Sequence, residues 1–158
     1  MERKMFEVDD IRAIKETQGK IMGVDFGDVR TGLAVSDASR LIASGIGYIS
    51  PGGIEKTADA VAEAVKEQGA VGVVVGMPVN MDGSHGSRAQ RCTKFAALLK
   101  ERLDGVAVAM FDERMTTMTA SRYLNETGTH GKKRKQVIDT LSAQIILQNC
   151  LDRLKYMS

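Results

Sequence analysis

Four acidic residues stand where a carboxylate is costly or where an apolar run ends. Asp25 sits near the carboxyl end of the apolar run Ile21-Met22-Gly23-Val24-Asp25-Phe26-Gly27. A buried acid there needs a compensating partner. Asp112 and Glu113 directly follow the apolar run from Val106 to Phe111, in the segment FDERM. Asp139 lies in QVIDTLSAQ between Ile138 and Leu141, at the border of the apolar face of a helix. Carboxylates that converge repel one another unless a cation sits between them. Hard divalent ions such as Mg²⁺ meet that need, using few carboxylates and completing their shell with waters and phosphate oxygens. Each acid also has an ordinary role open to it. Asp112 could cap a following helix, Glu113 could pair with Arg114, and Asp139 could favour its helix dipole. On these grounds Asp112 and Glu113 both stay open.

The cations tell a similar story. Gly128-Thr129-His130-Gly131 reads as a flexible stretch, and it ends in Lys132-Lys133-Arg134-Lys135, four residues before Asp139. Such a run is either solvated surface or a phosphate contact, and beside an acidic cluster phosphate is the natural use. Gly76-Met77-Pro78, followed by Asp82-Gly83-Ser84-His85-Gly86, makes a polar loop that either binds something or simply connects. Gly27 either admits a phosphate or turns a hairpin. Because Gly23 to Gly27 do not lead into a helix, they do not read as a dinucleotide fingerprint. Aromatic residues are 4% of the chain, which gives little support to stacking on unpaired bases.

The elements that must carry these residues follow from periodicity. Ile21 to Gly27 and Thr31 to Ser36 read as strands. Their connection is too short for a crossover helix, so they pair antiparallel. Leu41 to Ser50 is a weaker third strand. Ile54 to Gln68 shows a helical stripe of Ile54, Ala58, Val61, Ala62 and Val65. Val71 to Val75 has the near-continuous valine pattern of a strand buried on both faces. A helix from Ser87 to Leu103, a strand from Val106 to Phe111, a helix from Thr117 to Asn125 and a last helix from Lys135 to Leu154 complete the chain. The order βββαβαβαα predicts a mixed α/β sheet with helices on its faces.

The 158 residues suit one such domain, and 43% hydrophobic residues provide a core without disulfide staples. Cys92 and Cys150 have no CxxC or Cys/His cluster around them, so neither a zinc site nor a disulfide framework is indicated, which fits a reducing compartment. The net charge of +2 leaves any nucleic-acid argument to local patches. Residues 1–19 are broken up by charge, with no apolar core of a secretory signal. They read as an extension outside the main domain, with a short helix around Asp9 to Lys15. No apolar stretch is long enough to span a membrane, and a cytoplasmic location is expected.

Four segments together, GVDFGDVRTGLAVSD, VVVGMPVNMDGSHGSRA, FDERMTT and KKRKQVIDTLSAQIILQNCLD, resemble the YqgF/RuvX family of Holliday junction resolvases, also described as pre-16S ribosomal RNA nucleases. The likeness runs from Lys20 to Leu154. It implies a ribonuclease-H-like fold over residues 20–158, with a five-stranded mixed sheet flanked by helices. It also implies metal-assisted cleavage of a nucleic-acid phosphodiester, in pre-ribosomal RNA or in branched DNA, by a monomer or a homodimer. Asp25 matches the family's first-strand acid, Glu113 the acid of its DER motif and Asp139 the acid of its last helix. These three would hold Mg²⁺ or Mn²⁺, with Asp25 bridging two ions. Arg30 and Asp37 match the first motif, and Arg114 and Thr116 the motif around Glu113. Arg30 and Arg114 would orient carboxylates or touch phosphate, and Lys132, Lys133, Arg134 and Lys135 would hold the backbone. Where the family commonly has two alanines after the helix aspartate, this chain has Ser142-Ala143. Two rival readings stand beside this one: a nucleotide-handling protein of the actin/hexokinase type, and a non-catalytic nucleic-acid-binding module.

Overall fold

The strand-forming runs pair into one five-stranded sheet in the computed structural model. It describes residues 8–78, 86–112 and 131–157, the stretch 131–139 through its backbone alone. The strands are β1 (Ile21–Asp25), β2 (Thr31–Ser36), β3 (Ala43–Ile49), β4 (Gly72–Met77) and β5 (Ala107–Asp112), and their order across the sheet is β3-β2-β1-β4-β5. β1 and β2 are antiparallel, as their short connection requires, and β2 and β3 likewise. β4 and β5 run parallel to β1. The three parallel strands therefore end on one edge of the sheet, at Asp25, Met77 and Asp112.

Alternation along each strand divides the core in two. Met22, Val24, Leu33, Val73, Val75 and Val108 face helices α2 (Ile54–Gln68) and α3 (Ser87–Arg102). Ile21, Ala34, Ala43, Val74 and Ala109 face a long helix over Gly131–Lys155, together with the short α1 (Ile11–Lys15). That long helix is the fourth described, α4. Valines 73 to 75 are fully buried, which is what covering both faces demands.

α4 begins earlier than the Lys135 expected from periodicity, and this corrects the picture of a flexible basic stretch. Lys132 to Lys135 stand in its opening turns. Lys, Arg and Gln are good helix formers, and no proline or glycine interrupts the chain between Lys132 and Lys155. The expected helix over Thr117 to Asn125 lies outside the described residues.

Residues 8–19 pack against the sheet. Asp9 bridges Ala109 on the open edge of β5, and its carboxylate takes the Val108 amide and Lys100 Nζ. Ile14 is fully buried over Gly72. Arg40 gathers the same segment, donating to the carbonyls of Gly19 (2.7 Å) and Ile14 (3.0 Å) and to Thr17 Oγ1 (2.7 Å). Lys15 in turn donates to the Leu154 carbonyl at the end of α4 (2.8 Å). Among the described residues, no helix is long and apolar enough to cross a membrane.

Candidate active site

The placement of Asp25 follows from alternation. Met22 and Val24 point to α2 and α3, whereas Ile21 points to α4. Gly23 and Asp25 share the face of Ile21. Asp25 is the last residue of β1 and only part-buried. It thus comes out of the core at the sheet edge, on the α4 side.

Gly23 decides how close α4 comes. A Cβ there would stand 2.7 Å from Leu147 Cβ and 3.0 Å from the Ala143 carbonyl oxygen. Only a residue without a side chain permits that approach. Gly45 on β3 receives Thr140 in the same way. Gln144 and Gln148 then tie the helix to the start of β3. Gln148 accepts from the Ala43 amide (2.9 Å) and donates to the Leu41 carbonyl (3.1 Å), and Gln144 donates to the Ala43 carbonyl (3.2 Å).

This contact also sets the direction of α4. Its end, at Leu151 and Leu154, packs with Ile14 and Ile21, near the start of β1. The helix therefore runs back along β1 in the opposite sense. From Gly23 to Asp25 is about 6.6 Å along the strand. From Ala143 back to Asp139 is one helical turn, about 6 Å. The two steps match, so the backbone of Asp139 comes level with Asp25 along the strand direction, on the same side of the sheet.

The other acids divide. On β5, Ala107, Ala109 and Phe111 belong to the α4 side and Val108 and Met110 to the other. By this alternation Asp112 falls on the α2/α3 side, away from Asp25. Glu113, Arg114 and Thr116 lie outside the described residues, as do the side chains of Asp139 and of Lys132, Lys133, Arg134 and Lys135. Among the described residues no group of three metal-capable side chains occurs. Asp37 lies at the far end of β2 from Asp25. Its carboxylate accepts from the amides of Leu41 (2.9 Å) and Ile42 (3.1 Å) and from Ser39 Oγ, forming a tight turn. The Ser39 hydroxyl and these amides lower its pKa.

The hairpin after Asp25 is shaped by Gly27, where a Cβ would meet the Arg30 carbonyl oxygen at 2.2 Å. Gly27 and the buried Thr31 hydroxyl bond each other at 3.3 Å. So Gly27 is needed to close this turn. Arg30 lays its guanidinium over the Tyr48 ring, 5.9 Å from the centroid. Two residues not singled out from sequence hold the hairpin from α3: Arg88 donates to the Phe26 carbonyl (3.2 Å) and Arg91 Nε to Asp28 (2.7 Å). Below them the rings of Phe26 and Phe95 stack at 4.5 Å. The only signal in the sequence was that cations follow the glycine-rich loop directly.

An acid at the end of the central strand of a β3-β2-β1-β4-β5 mixed sheet, with a helix laid back along that strand, defines a ribonuclease-H-like fold of the resolvase type. T. thermophilus RuvC, solved in complex with Holliday junction substrate, superposes with a TM-score of 0.50 at 16% identity, over 85% of this chain and 95% of that one. Fowlpox virus resolvase, solved with Holliday junction DNA, gives 0.50 at 11% identity, over 86% and 97%. Residues 19–153 match the RuvX family, described as Holliday junction resolvase, and the chain belongs to that family. Its relatives include a protein of Phenylobacterium zucineum, 38% identical over 92% of this chain and 94% of its own length. Another, from Caldanaerobacter subterraneus, is 42% identical over 86% and 98%. Both are provisionally named as pre-16S rRNA nucleases.

Proposed function

We propose that this protein is a metal-dependent nuclease that hydrolyses nucleic-acid phosphodiesters in the maturation of the 5′ end of pre-16S ribosomal RNA, in the cytoplasm. The observation that carries this reading is the approach of α4 to Gly23, which supports a site shared by Asp25 and Asp139 because it brings the two level on one side of the sheet. The names of the family and of its relatives supply the substrate class.

In this reading Asp25, Glu113 and Asp139 hold the metal. Asp112 is the weaker choice for the third ligand because its strand position turns it to the other side of the sheet, which leaves Glu113, the next acid in the chain. Carboxylate oxygens at the mouth of an apolar strand suit Mg²⁺ or Mn²⁺. When bound, such ions supply a water of lowered pKa and neutralise the leaving oxygen. Asp25, at the end of the central strand, would be the central ligand of this set. Lys132, Lys133, Arg134 and Lys135, in the opening turns of α4, hold the substrate backbone, and positive charge at a helix N-terminus is best satisfied by an anion. Arg30 and Arg114 orient carboxylates or touch phosphate.

The test is a cleavage assay with Mg²⁺ or Mn²⁺ on a pre-16S ribosomal RNA fragment, an unrelated single-stranded RNA and a four-way DNA junction. The expected result is cleavage of the precursor fragment by the wild type and none by Asp25→Asn. Cutting confined to the junction would move the substrate to branched DNA. Binding that survives chelation, with no cleavage of any of the three, would reduce the protein to a binding module.

A further inference from the structure

We propose that Arg88, Arg91 and Lys94 on the outer face of α3 form a second contact for the phosphate backbone of the nucleic acid, across the sheet from the cations that open α4. This rests on the nuclease reading above and adds a binding surface to it.

The charges of the two helices on this side of the sheet are segregated. α2 carries Glu55, Asp59, Glu63 and Glu67 against Lys56 and Lys66. α3 carries Arg88, Arg91, Lys94, Lys100 and Arg102 against Glu101 alone. At the far end of α3 the cations are used within the fold: Arg102 pairs with Asp59 and Glu55, and Lys100 with Asp9. At the near end Arg88 and Arg91 hold the Phe26–Asp28 turn, but little of their charge meets a carboxylate. Arg88, Arg91 and Lys94 are all exposed, and the one carboxylate ion-paired to them among the described residues is Asp28.

Their position matters more than their number. Spaced three apart, they lie along one side of the helix over about 9 Å of its axis. Arg88 and Arg91 reach Phe26 and Asp28, in the loop that follows Asp25 directly. The row thus starts at the candidate catalytic edge and leads away from it. Charge that the fold neutralises only at Arg91, on a path leading to a phosphodiester-cutting edge, suits the evenly charged backbone of a nucleic acid. Asp28 is then a placeholder for phosphate at Arg91. Arginine suits this exchange because its planar fork binds carboxylate and phosphate alike.

The experiment measures the affinity for a fluorescein-labelled single-stranded RNA across a salt series, in EDTA so that metal-dependent cleavage is stopped. Cleavage with Mg²⁺ is followed separately. Lys94→Gln and Arg91→Gln should each reduce the slope of log affinity against log salt by about 0.7, the value for one lost single-strand phosphate contact. Lys66→Gln on α2 removes the same charge elsewhere and should leave the slope alone. Asp28→Asn frees Arg91 and should tighten binding; because it also breaks the Asp28–Arg91 pair, it separates phosphate contact from a merely structural role. An unchanged slope in both α3 variants overturns the proposal, as does an equal fall in Lys66→Gln. A wild type that cuts nucleic acid while the α3 variants bind like it loses only this inference. A wild type that neither binds nor cuts loses the nuclease reading, and this inference with it.

Discussion

Gly23 of β1 and Leu147 of α4 are in such close register that a single methyl group on the glycine would stand 2.7 Å from the leucine Cβ. Gly23→Ala should therefore push α4 off the strand. The expected cost is about 2 kcal/mol of stability, the usual range for overpacking a fitted core, read as a lower urea midpoint. Asp139 rides on the same helix. A displacement of about 1 Å should cost about a hundredfold in cleavage rate. Full activity in a destabilised Gly23→Ala protein would separate α4 from the chemistry.

The strand alternation of β5 yields a ranking of the acids. Under the proposed function, Asp25→Asn, Glu113→Gln and Asp139→Asn should each abolish metal-dependent cleavage while leaving the fold intact, read as an unchanged far-UV spectrum. Asp112→Asn should cut at close to the wild-type rate. The reverse order for Asp112 and Glu113 in a cleavage assay would reassign the third ligand.

Asp37 should make its contribution to stability at neutral pH and lose it in acid. Its carboxylate is held below its ordinary range by the Ser39 hydroxyl and the backbone amides. A group with a depressed folded pKa stabilises above its unfolded value, near about 3.9, and the stabilisation disappears as pH falls through the folded value. Melting curves from neutral pH into acid should therefore converge for wild type and Asp37→Asn at the acid end. A constant gap between them would show that the turn does not depend on the carboxylate's charge.

Ser142 offers a stabilising change. Its hydroxyl is buried with no hydrogen-bond partner among the described residues. Ser142→Ala removes that unpaired group and improves helix propensity, for a gain of about 1 kcal/mol. Chemical denaturation measures it. A loss of stability would reveal a hydrogen bond made by Ser142.

Cys150 should be inert to alkylation in the folded protein. It is fully buried, and desolvation pushes its thiol up to about 12, with Arg40 opposing. At about pH 8 almost none is thiolate. Modification by iodoacetamide should therefore track global unfolding, and fast labelling of Cys150 in native conditions would contradict its burial.

Much of the frame could be read from residue pattern alone, because its signals are local. The valines of β4, the stripe of α2 and the short connection from β1 to β2 each dictate one element or one pairing. The exit of Asp25 at a strand end follows from the same alternation. Other features depend on contacts between distant parts. Nothing near Gly23 in the chain says that Leu147 will sit on it. Ile11 and Ile14 make only a single i, i+3 pair in a charged segment, too short a stripe to assign to the core, yet Ile14 fills the space over Gly72. The early start of α4 was hidden because a basic run without an N-cap residue looks like loop chemistry, although its residues favour helix. Arg88 and Arg91 were passed over for a similar reason: their partners, Phe26 and Asp28, lie more than sixty residues away in the chain.

The pairing of β2 with β3 slips between Leu33 and Ala34, so that Gly47 faces Leu33, Gly45 faces Ala34, and Ile46 is left as an extra, exposed residue. β3 is an outer strand, and with Ile46 and Tyr48 exposed, and Ile42 just before it, it would otherwise be an inviting template for a strand of another molecule. The slip bends that edge and breaks its row of backbone donors and acceptors. At high concentration an irregularity of this kind works against edge-to-edge aggregation.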